Sequence, residues 1–325
     1  MRPKVLVSRR LPPAALEIIA RHCDVDHNEP NRPLPRAELL ARLQGCRGLV
    51  CLLTDAVDDE VLGTPGLKIV SNVAVGFNNI DVEAATRRRV LATNTPGVLD
   101  DTTADLAFAL LMATARRIVE ADRFLRSGRW EGWDLLQFLG YDIHHKTLGI
   151  CGLGRIGKGV ARRAAGFDMR LLYTDVQRAP EAVERELGVT FAEKDALLRE
   201  ADFVTVHVPL FAETRHYIGD RELGLMKPTA ILVNAARGPI VDESALVQAL
   251  QRKQIAGAGL DVYEEEPKVH PGLLGMDNVV ILPHIASASI ETRTRMATMA
   301  AENVVAGILG RRPPNLLNPE ALSAQ

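Results

Sequence analysis

Short apolar runs alternate with amphipathic, helix-like stretches along most of the chain. In the first hundred residues, helix patterns such as PAALEIIARHC and RAELLARLQG lie between apolar runs that predict buried strands: KVLVS (4–8), GLVCLL (48–53) and KIVSN (68–72). Six further runs follow: TLGIC (147–151), MRLLYT (169–174), FVTVHV (203–208), AILVN (230–234), GAGLDV (257–262) and VVILP (279–283). This alternation is typical of parallel sheets with crossover helices, and predicts an α/β fold with doubly wound sheets.

Two segments between and after these strand sets have their own patterns. Residues 102–128 predict one long helix, capped by Asp101 or Thr102 and stopped by Gly128. Its first half is apolar on more than one face, which fits either a helix buried between domains or one that also packs against a second subunit. The proline-rich end, RRPPNLLNPE, predicts a surface tail.

Composition excludes several classes of protein. A chain of 325 residues suits two domains, and 47% hydrophobic with 25% charged residues is ordinary for a soluble globular protein. The net charge of −2 and the scattered basic residues argue against nucleic-acid binding. The sequence has no signal-peptide pattern and no apolar stretch long enough for a bilayer. Its four cysteines form no C-x-x-C, which predicts reduced thiols in a cytoplasmic protein and no metal site.

The segment GICGLGRIGKGV places Gly152, Gly154 and Gly157 as G-x-G-x-x-G between a strand and a helix pattern. Glycines there let the backbone approach a pyrophosphate, and the amides of Arg155 and Ile156 then face the phosphates at a helix N-terminus. The sequence therefore predicts a dinucleotide site.

The residues after the next strand bear on the choice of dinucleotide. Asp175 ends the strand pattern MRLLYT, where a carboxylate can accept hydrogen bonds from ribose hydroxyls and repels a 2′-phosphate. This favours NAD over NADP. Arg178 is the opposing feature, because it stands close enough to bind such a phosphate if Asp175 turns away.

Three later stretches place functional groups directly after predicted strands. NAARGPIVDE contains Arg237, LDVYEEEP contains Asp261 and three glutamates (264–266), and ILPHIASAS contains His284. In an open α/β sheet the ligand crevice lies outside the carboxyl ends of the strands. Arginine, glutamate and histidine there supply a carboxylate binder, a charged partner and a proton carrier.

The sequence resembles the D-isomer-specific 2-hydroxyacid dehydrogenases, and among them the glyoxylate/hydroxypyruvate reductases. The matching segments cover nearly the whole chain and include SNVAVGFNNID, NTPGVLDDTTAD, GRWEGWDLLQFLGYDIHHKTLGICGLGRIG, VNAARGPIVDE, GLDVYEEEP and LPHIASAS. The resemblance implies a Rossmann cofactor domain (100–285) inserted into a flavodoxin-like substrate-binding domain (1–99 and 286–325). It also implies a homodimer joined through the cofactor domains, with the loop around Trp133 to Phe138 reaching toward the partner.

Residue roles follow from the same resemblance. Arg237 would bind the 2-oxo acid, His284 would act as acid and base, and Glu266, directly before Pro267, would pair with His284. Glu264 and Glu265 are then expected to be solvated neighbours. The resemblance places Leu53, Val75 and Gly76 around the substrate. It assigns further cofactor contacts to Thr103, His207, Val208, Pro209, Thr214, Ala235, Ala236, Asp261 and His284.

One departure affects the coenzyme. Many glyoxylate reductases of this type carry Ser, Thr or Gly followed by Arg after the second strand and prefer NADPH, whereas this chain has Asp175 and Val176. The expected cofactor is therefore NAD(H), with NADP(H) less favoured.

The alternatives within the enzyme class are a phosphoglycerate dehydrogenase and a 2-ketogluconate or broad 2-oxoacid reductase. From another class, the C-terminal-binding-protein corepressors use the same fold as an NADH-gated binding module and keep the same three residues. Turnover of glyoxylate with NADH would separate the enzymes from the binding module.

Overall fold

The structure, a computed structural model, describes residues 2–322, which divide into two compact units. One unit comprises the chain up to Leu99 and the chain from Ala288 onward, and the other comprises Asp100–Ser287. The sequence places the return crossing between residues 285 and 286, and the structure places it between Ser287 and Ala288.

The secondary structure alternates as the hydrophobic pattern predicts. The strands are β1 (Lys4–Val7), β2 (Asp24–His27), β3 (Cys46–Cys51), β4 (Ile69–Asn72), β5 (Leu91–Thr93), β6 (Thr147–Cys151), β7 (Arg170–Thr174), β8 (Val189–Phe191), β9 (Phe203–Val206), β10 (Ile231–Asn234), β11 (Gly257–Leu260) and β12 (Val279–Ile281). The helices are α1 (Pro13–Ala20), α2 (Arg36–Leu43), α3 (Asp59–Leu62), α4 (Val82–Arg87), α5 (Asp100–Ala115), α6 (Ile118–Arg126), α7 (Arg155–Ala165), α8 (Glu181–Leu187), α9 (Lys194–Glu200), α10 (Asp220–Leu225), α11 (Glu243–Gln251), α12 (Pro271–Leu274) and α13 (Ile290–Ile308).

The first unit is built on a five-stranded parallel sheet in the order β2-β1-β3-β4-β5. Alternate residues of its strands bury opposite faces, so Val5 packs with α1 and α13 while Leu6 packs with α2, α3 and α4. A Cβ added at Gly48 would come within 2.8 Å of the Val304 side chain, so α13 lies close against β3. The chain after residue 288 thus completes a core begun by the first strands.

The proline-rich end is not a free surface tail, and that prediction is wrong. Leu316 forms an antiparallel bridge with Thr93, at the end of β5. The buried amide of Asn318 donates to the Val90 carbonyl at 2.9 Å and accepts from the Ala92 N–H at 2.9 Å. These bonds satisfy the outer edge of the sheet, which would otherwise present unpaired backbone groups.

The second unit is built on a seven-stranded sheet in the order β12-β11-β10-β9-β6-β7-β8, and every neighbouring pair is parallel. The strand order reverses between β6 and β9, which is where a doubly wound sheet opens a crevice for a nucleotide. The predicted fold class, two parallel-sheet α/β domains, is confirmed.

The single helix predicted over residues 102–128 is instead two helices, and that prediction is wrong. Arg117 adopts a left-handed backbone (φ 52°) and separates α5 from α6. Glycines in β11 let α5 pack closely, because a Cβ at Gly259 would come within 2.7 Å of the Leu110 side chain. None of the residues of α6 is buried. Within residues 2–322 no helix is long and apolar enough to cross a membrane.

Candidate active site

The G-x-G-x-x-G segment forms the turn between β6 and α7. Gly152 has φ 96°, and a Cβ there would come within 2.9 Å of the His207 backbone carbon. A Cβ at Gly157 would come within 2.2 Å of the Gly152 carbonyl oxygen, so both positions require glycine. Around Gly154, at the N-cap of α7, a Cβ would meet open space. The turn therefore leaves room beside the first amides of α7, which belong to Arg155 and Ile156.

Asp175 follows β7 and is tied to the glycine turn. Its Oδ2 accepts the N–H of Leu153 at 2.8 Å, and its Oδ1 accepts the N–H of Val176 at 2.7 Å. The neighbouring Val176 side chain is almost fully exposed. The carboxylate is thus held at the end of β7 beside the turn.

Arg178, the residue that could favour a 2′-phosphate, is paired with Glu184. Its Nε and one terminal nitrogen donate to the two carboxylate oxygens at 2.9 and 3.0 Å. The Tyr173 hydroxyl donates to the same carboxylate at 2.6 Å. Arg178 and then Tyr173 lower the pKa of Glu184 to about 2, so the partner of Arg178 stays ionised at neutral pH.

The segment after β9 lies against the glycine turn. The His207 N–H donates to the Cys151 carbonyl at 2.7 Å, and the ring Nε2 lies 2.8 Å from Thr205 Oγ1. Burial lowers the pKa of His207 to about 4, so this imidazole is neutral. Farther along, Thr214 Oγ1 donates to the Pro209 carbonyl at 2.6 Å and fixes the turn that contains both residues. Val208, between His207 and Pro209 in the chain, is partly buried.

His284 and Glu266 meet after β12 and β11. Nδ1 of His284 lies 2.8 Å from Oε2 of Glu266, and the other oxygen of Glu266 accepts the Tyr263 N–H at 3.1 Å. Burial raises the pKa of Glu266, but His284, the Tyr263 amide and Arg237 outweigh it, so the net pKa lies below the ordinary value. Glu266 is therefore an anion that faces the imidazole.

Two side chains hold the turn that carries His284. The fully buried Asp261 accepts the N–H groups of Ile285 and Ala286, both at 2.7 Å. Burial raises the pKa of Asp261 despite these two bonds. The Tyr263 hydroxyl donates to the Leu282 carbonyl at 2.7 Å. The His284 backbone itself has φ 54°, a left-handed conformation that is uncommon outside glycine and that these contacts support.

Arg237 follows β10 and lies near Glu266. The Asn234 side chain closes the turn by accepting the Ala236 N–H and donating to the Arg237 carbonyl, both at 3.0 Å. The guanidinium donates to the Ala236 carbonyl at 2.7 Å. Burial lowers the pKa of Arg237 and Glu266 opposes that shift, so the cation and this anion interact electrostatically. Ala235, beside Asn234, is buried.

Leu53, Val75 and Gly76 belong to the other unit, where they follow β3 and β4. Asparagine side chains hold both loops: Asn79 donates to the Leu52 and Asp55 carbonyls at 3.1 Å, and Asn72 donates to the Gly76 carbonyl at 2.9 Å. Leu53 is exposed. Thr103 lies in α5 of the second unit and is buried.

Glu264 differs from its expected role as a solvated neighbour, and that expectation is wrong. Its side chain is only 18% exposed, and its oxygens bond to Glu243, Arg215 and His216. Glu265, by contrast, is exposed. Sequence reasoning also missed Tyr263, Glu243 and Asn79, because each acts through contacts with distant segments. Among the described residues, no cluster of three His, Cys, Asp or Glu side chains could hold a metal ion.

Comparison with known proteins identifies the family of the chain. Residues 108–286 match the family model of the D-isomer specific 2-hydroxyacid dehydrogenase, NAD binding domain. A glyoxylate reductase of Korarchaeum cryptofilum (strain OPF8) is 52% identical over 100% of this chain and 98% of its own length. The chain belongs to the D-isomer-specific 2-hydroxyacid dehydrogenase family. It is an oxidoreductase of the glyoxylate reductase-like branch, and its second unit is the nicotinamide-cofactor-binding domain.

Solved structures support the same assignment. A protein of Thermus thermophilus has a TM-score of 0.91 and 44% identity, covering 97% of this chain and 99% of that one. An NADPH-dependent glyoxylate/hydroxypyruvate reductase of Sinorhizobium meliloti has a TM-score of 0.85 and 34% identity, covering 98% of this chain and 99% of its own. The neighbours therefore include an enzyme that uses NADPH.

Proposed function

We propose that the protein reduces a small 2-oxo acid of the glyoxylate or hydroxypyruvate type to the D-2-hydroxy acid, with NADH as the reductant. The observation that carries this proposal is the 2.8 Å pair of His284 and Glu266 with Arg237 nearby, beyond the carboxyl ends of strands in a dinucleotide-binding sheet. Glyoxylate reductases about half identical over the full chain support the substrate class.

The proposed mechanism assigns one task to each of the three residues. Arg237 binds the substrate carboxylate and carbonyl through its planar fork. A nicotinamide cofactor held at the glycine turn would supply the hydride that the carbonyl carbon accepts. His284 transfers a proton from Nε2 to the carbonyl oxygen, which balances the reduction to an alcohol. Glu266 stabilises the charged imidazole before that transfer and fixes the ring through Nδ1. In the reverse direction, neutral His284 removes the hydroxyl proton.

The remaining predicted site residues have supporting roles in this proposal. We assign substrate-binding roles to the backbone amides of Val75 and Gly76 and to the side chain of Leu53. The side chains of Asn72 and Asn79 hydrogen-bond to the loops that carry these residues and so fix the loop conformations. Cofactor contacts come from the glycine turn and from a further set of residues: Thr103, His207, Val208, Pro209, Thr214, Ala235, Ala236 and Asp261.

The coenzyme preference is proposed to be NADH. Asp175 holds a carboxylate at the end of β7 beside the glycine turn, and Arg178, the nearby cation, is paired with Glu184. Both features support NADH, because a carboxylate there repels a 2′-phosphate and the cation is already engaged. The Sinorhizobium meliloti neighbour, by contrast, is NADPH-dependent.

The exposed segment after α6 supports a homodimer. Its large apolar side chains include Trp133, which is 82% exposed, and also Trp130, Leu135, Leu136 and Leu139. Apolar clusters of this kind on a protein surface mark interaction sites. Light scattering at micromolar concentration should give about twice the 35.5 kDa chain mass. A monomer that turns over substrate would contradict the dimer.

A cytoplasmic location is proposed as well.

A kinetic panel tests the function. Glyoxylate, hydroxypyruvate, pyruvate, 2-ketogluconate and 3-phosphohydroxypyruvate are each assayed with NADH and with NADPH. The proposal expects the highest kcat/KM for glyoxylate or hydroxypyruvate with NADH. A higher value for 3-phosphohydroxypyruvate or 2-ketogluconate would replace it with one of those reductases, and no turnover at all would favour a binding module.

A further inference from the structure

Glu243 and Glu264 exchange hydrogen bonds between side chain and backbone. The Glu243 N–H donates to Oε1 of Glu264 at 2.9 Å, and the Glu264 N–H donates to Oε1 of Glu243 at 2.6 Å. Glu243 is only 7% exposed, so these bonds are shielded from water. We refer to this reciprocal pair as the glutamate clamp. Two carboxylates close together are costly unless nearby groups offset their charge, so such a pair in a buried position calls for an explanation.

The clamp joins the two turns that carry Arg237 and Glu266. Glu243 begins α11, directly after the turn that starts at Arg237, and Glu264 lies two positions before Glu266. The turns also touch through their backbones: a Cβ at Gly238 would come within 1.8 Å of the Tyr263 carbonyl oxygen. The relative positions of Arg237 and Glu266 are thus fixed by the clamp and by this close contact.

A third segment reaches the same carboxylate. Oε2 of Glu264 lies 3.0 Å from Nε2 of His216 and 3.3 Å from a terminal nitrogen of Arg215. His216 also faces Asp242 at 3.7 Å, and its N–H donates to the Pro239 carbonyl at 2.8 Å. Arg215 and His216 follow Thr214, in the turn assigned to the cofactor. One oxygen of Glu264 therefore binds backbone, and the other faces the His216 ring and the Arg215 guanidinium, a cation that offsets part of the charge of the clamp.

We propose that Glu264, acting through the clamp with Glu243, is a positioning residue of the reductase: it sets the placement of Glu266 against His284 and of Arg237 against the substrate. The inference rests on the proposed function. The side chain of Glu264 bonds to Glu243, Arg215 and His216 and not to His284, so its effect passes through the backbone of residues 263–266 and 237–243. Since misplacing catalytic groups by about 1 Å can cost about a hundredfold in rate, a clamp between their turns has a measurable consequence.

The test compares Glu264→Ala and Glu264→Gln with Glu265→Ala as the matched control, because Glu265 is the adjacent glutamate and is exposed. In Glu264→Ala we expect kcat/KM for the 2-oxo acid to fall about ten- to a hundredfold. We also expect the alkaline limb of the kcat–pH profile for reduction to move to lower pH, because a mobile Glu266 pairs less well with the protonated imidazole. Glu264→Gln keeps an oxygen for the Glu243 amide, so its values should lie between those of Glu264→Ala and wild type. Glu265→Ala should match the wild type.

Amide hydrogen exchange adds a measurement that does not depend on activity. The Glu243 amide loses its acceptor in Glu264→Ala, so its exchange should be faster there than in the wild type and in Glu265→Ala. A Glu264→Ala enzyme with lower thermal stability but an unchanged alkaline limb and unchanged kcat/KM per folded molecule would overturn the inference. If Glu264→Ala does not fold, the same comparison is made with Glu264→Gln. If the wild type reduces no 2-oxo acid, the proposed function fails, and unchanged exchange at the Glu243 amide would separately overturn the clamp.

Discussion

Nδ1 of His284 lies 2.8 Å from Oε2 of Glu266, a carboxylate whose other oxygen accepts the Tyr263 amide. Glu266 is therefore held at both oxygens and cannot turn away from the ring without losing a backbone bond. Because Nδ1 faces Glu266, Nε2 is the ring atom left to exchange a proton with the substrate in the proposed mechanism.

Replacing His284 removes the proposed proton donor. His284→Ala should lower kcat for glyoxylate reduction by about two to four orders of magnitude, the usual contribution of a positioned acid–base group. NADH binding, followed by protein-to-nicotinamide energy transfer, should remain within a few-fold of wild type. A variant that keeps more than half of the wild-type kcat would show that another group supplies the proton.

Replacing Glu266 should change the pH profile. In the proposed reduction His284 supplies a proton to the substrate, so the rate falls as pH rises. The anionic Glu266, whose own pKa is lowered by His284, favours the protonated ring. Glu266→Gln should therefore move the alkaline limb of the kcat profile to lower pH. Steady-state rates from pH 5 to 10 give the measurement, and an unchanged profile would refute the pairing.

The fork of Arg237 should matter more than its charge. Arg237→Lys keeps the cation but loses the two parallel donors that match a carboxylate and carbonyl. KM for the 2-oxo acid should rise at least tenfold, and the NADH dissociation constant should stay near the wild-type value. If NADH binding collapses while KM for the oxo acid is unchanged, Arg237 belongs to the cofactor site.

Replacing both Asp175 and Val176 should alter the coenzyme preference. The double variant Asp175→Ser, Val176→Arg removes the carboxylate and adds a cation for a 2′-phosphate, so kcat/KM should shift toward NADPH. Glu184→Gln should shift it less in the same direction, because it weakens the hold on Arg178. The ratio of kcat/KM for the two coenzymes is the measurement. A wild type that uses NADPH as well as NADH would contradict the prediction.

Asp261→Asn separates a cofactor contact from support of the His284 turn. Asn keeps the size, but its amide nitrogen would oppose either the Ile285 or the Ala286 N–H, leaving a buried donor unpaired. We expect a loss of about 1–3 kcal/mol in the free energy of unfolding, because of the unpaired donor, together with a lower kcat and a weaker NADH affinity, because Asp261 is also a proposed cofactor contact. Urea titration and NADH binding check this. An unchanged free energy of unfolding would show that Asp261 does not support the turn, and an unchanged NADH affinity would remove it from the cofactor contacts.

The central strands of both sheets could be predicted because parallel strands are buried on both faces and read as apolar runs. The missed strands lie at edges or are short. β2 (DVDH) has one apolar residue among polar ones and so forms no apolar run, and β5 and β8 have three residues each. The break between α5 and α6 had no glycine or proline to mark it, since Arg117 takes the left-handed conformation.

Site residues could be predicted where a local sequence motif identifies them. They could not be predicted where contacts with distant segments determine the environment of a side chain. Three consecutive glutamates, 264 to 266, look alike in sequence. Their environments differ because Glu264 meets residues far away in the chain, at Arg215, His216 and Glu243. No pattern within the segment EEEP carries that information. The same holds for Asn79, whose amide bridges carbonyls of a loop more than twenty residues earlier.

The first unit draws its core from both ends of the chain, and this has a consequence for synthesis on the ribosome. The strand residue Val5 packs in one cluster with Ala300 and Val304 of α13, which are translated after the whole of Asp100–Ser287. The part of this sheet face that α1 does not cover therefore stays exposed while the second unit emerges and can fold. The nascent chain is most vulnerable to aggregation in that interval, and truncation before α13 would leave the same apolar face exposed permanently.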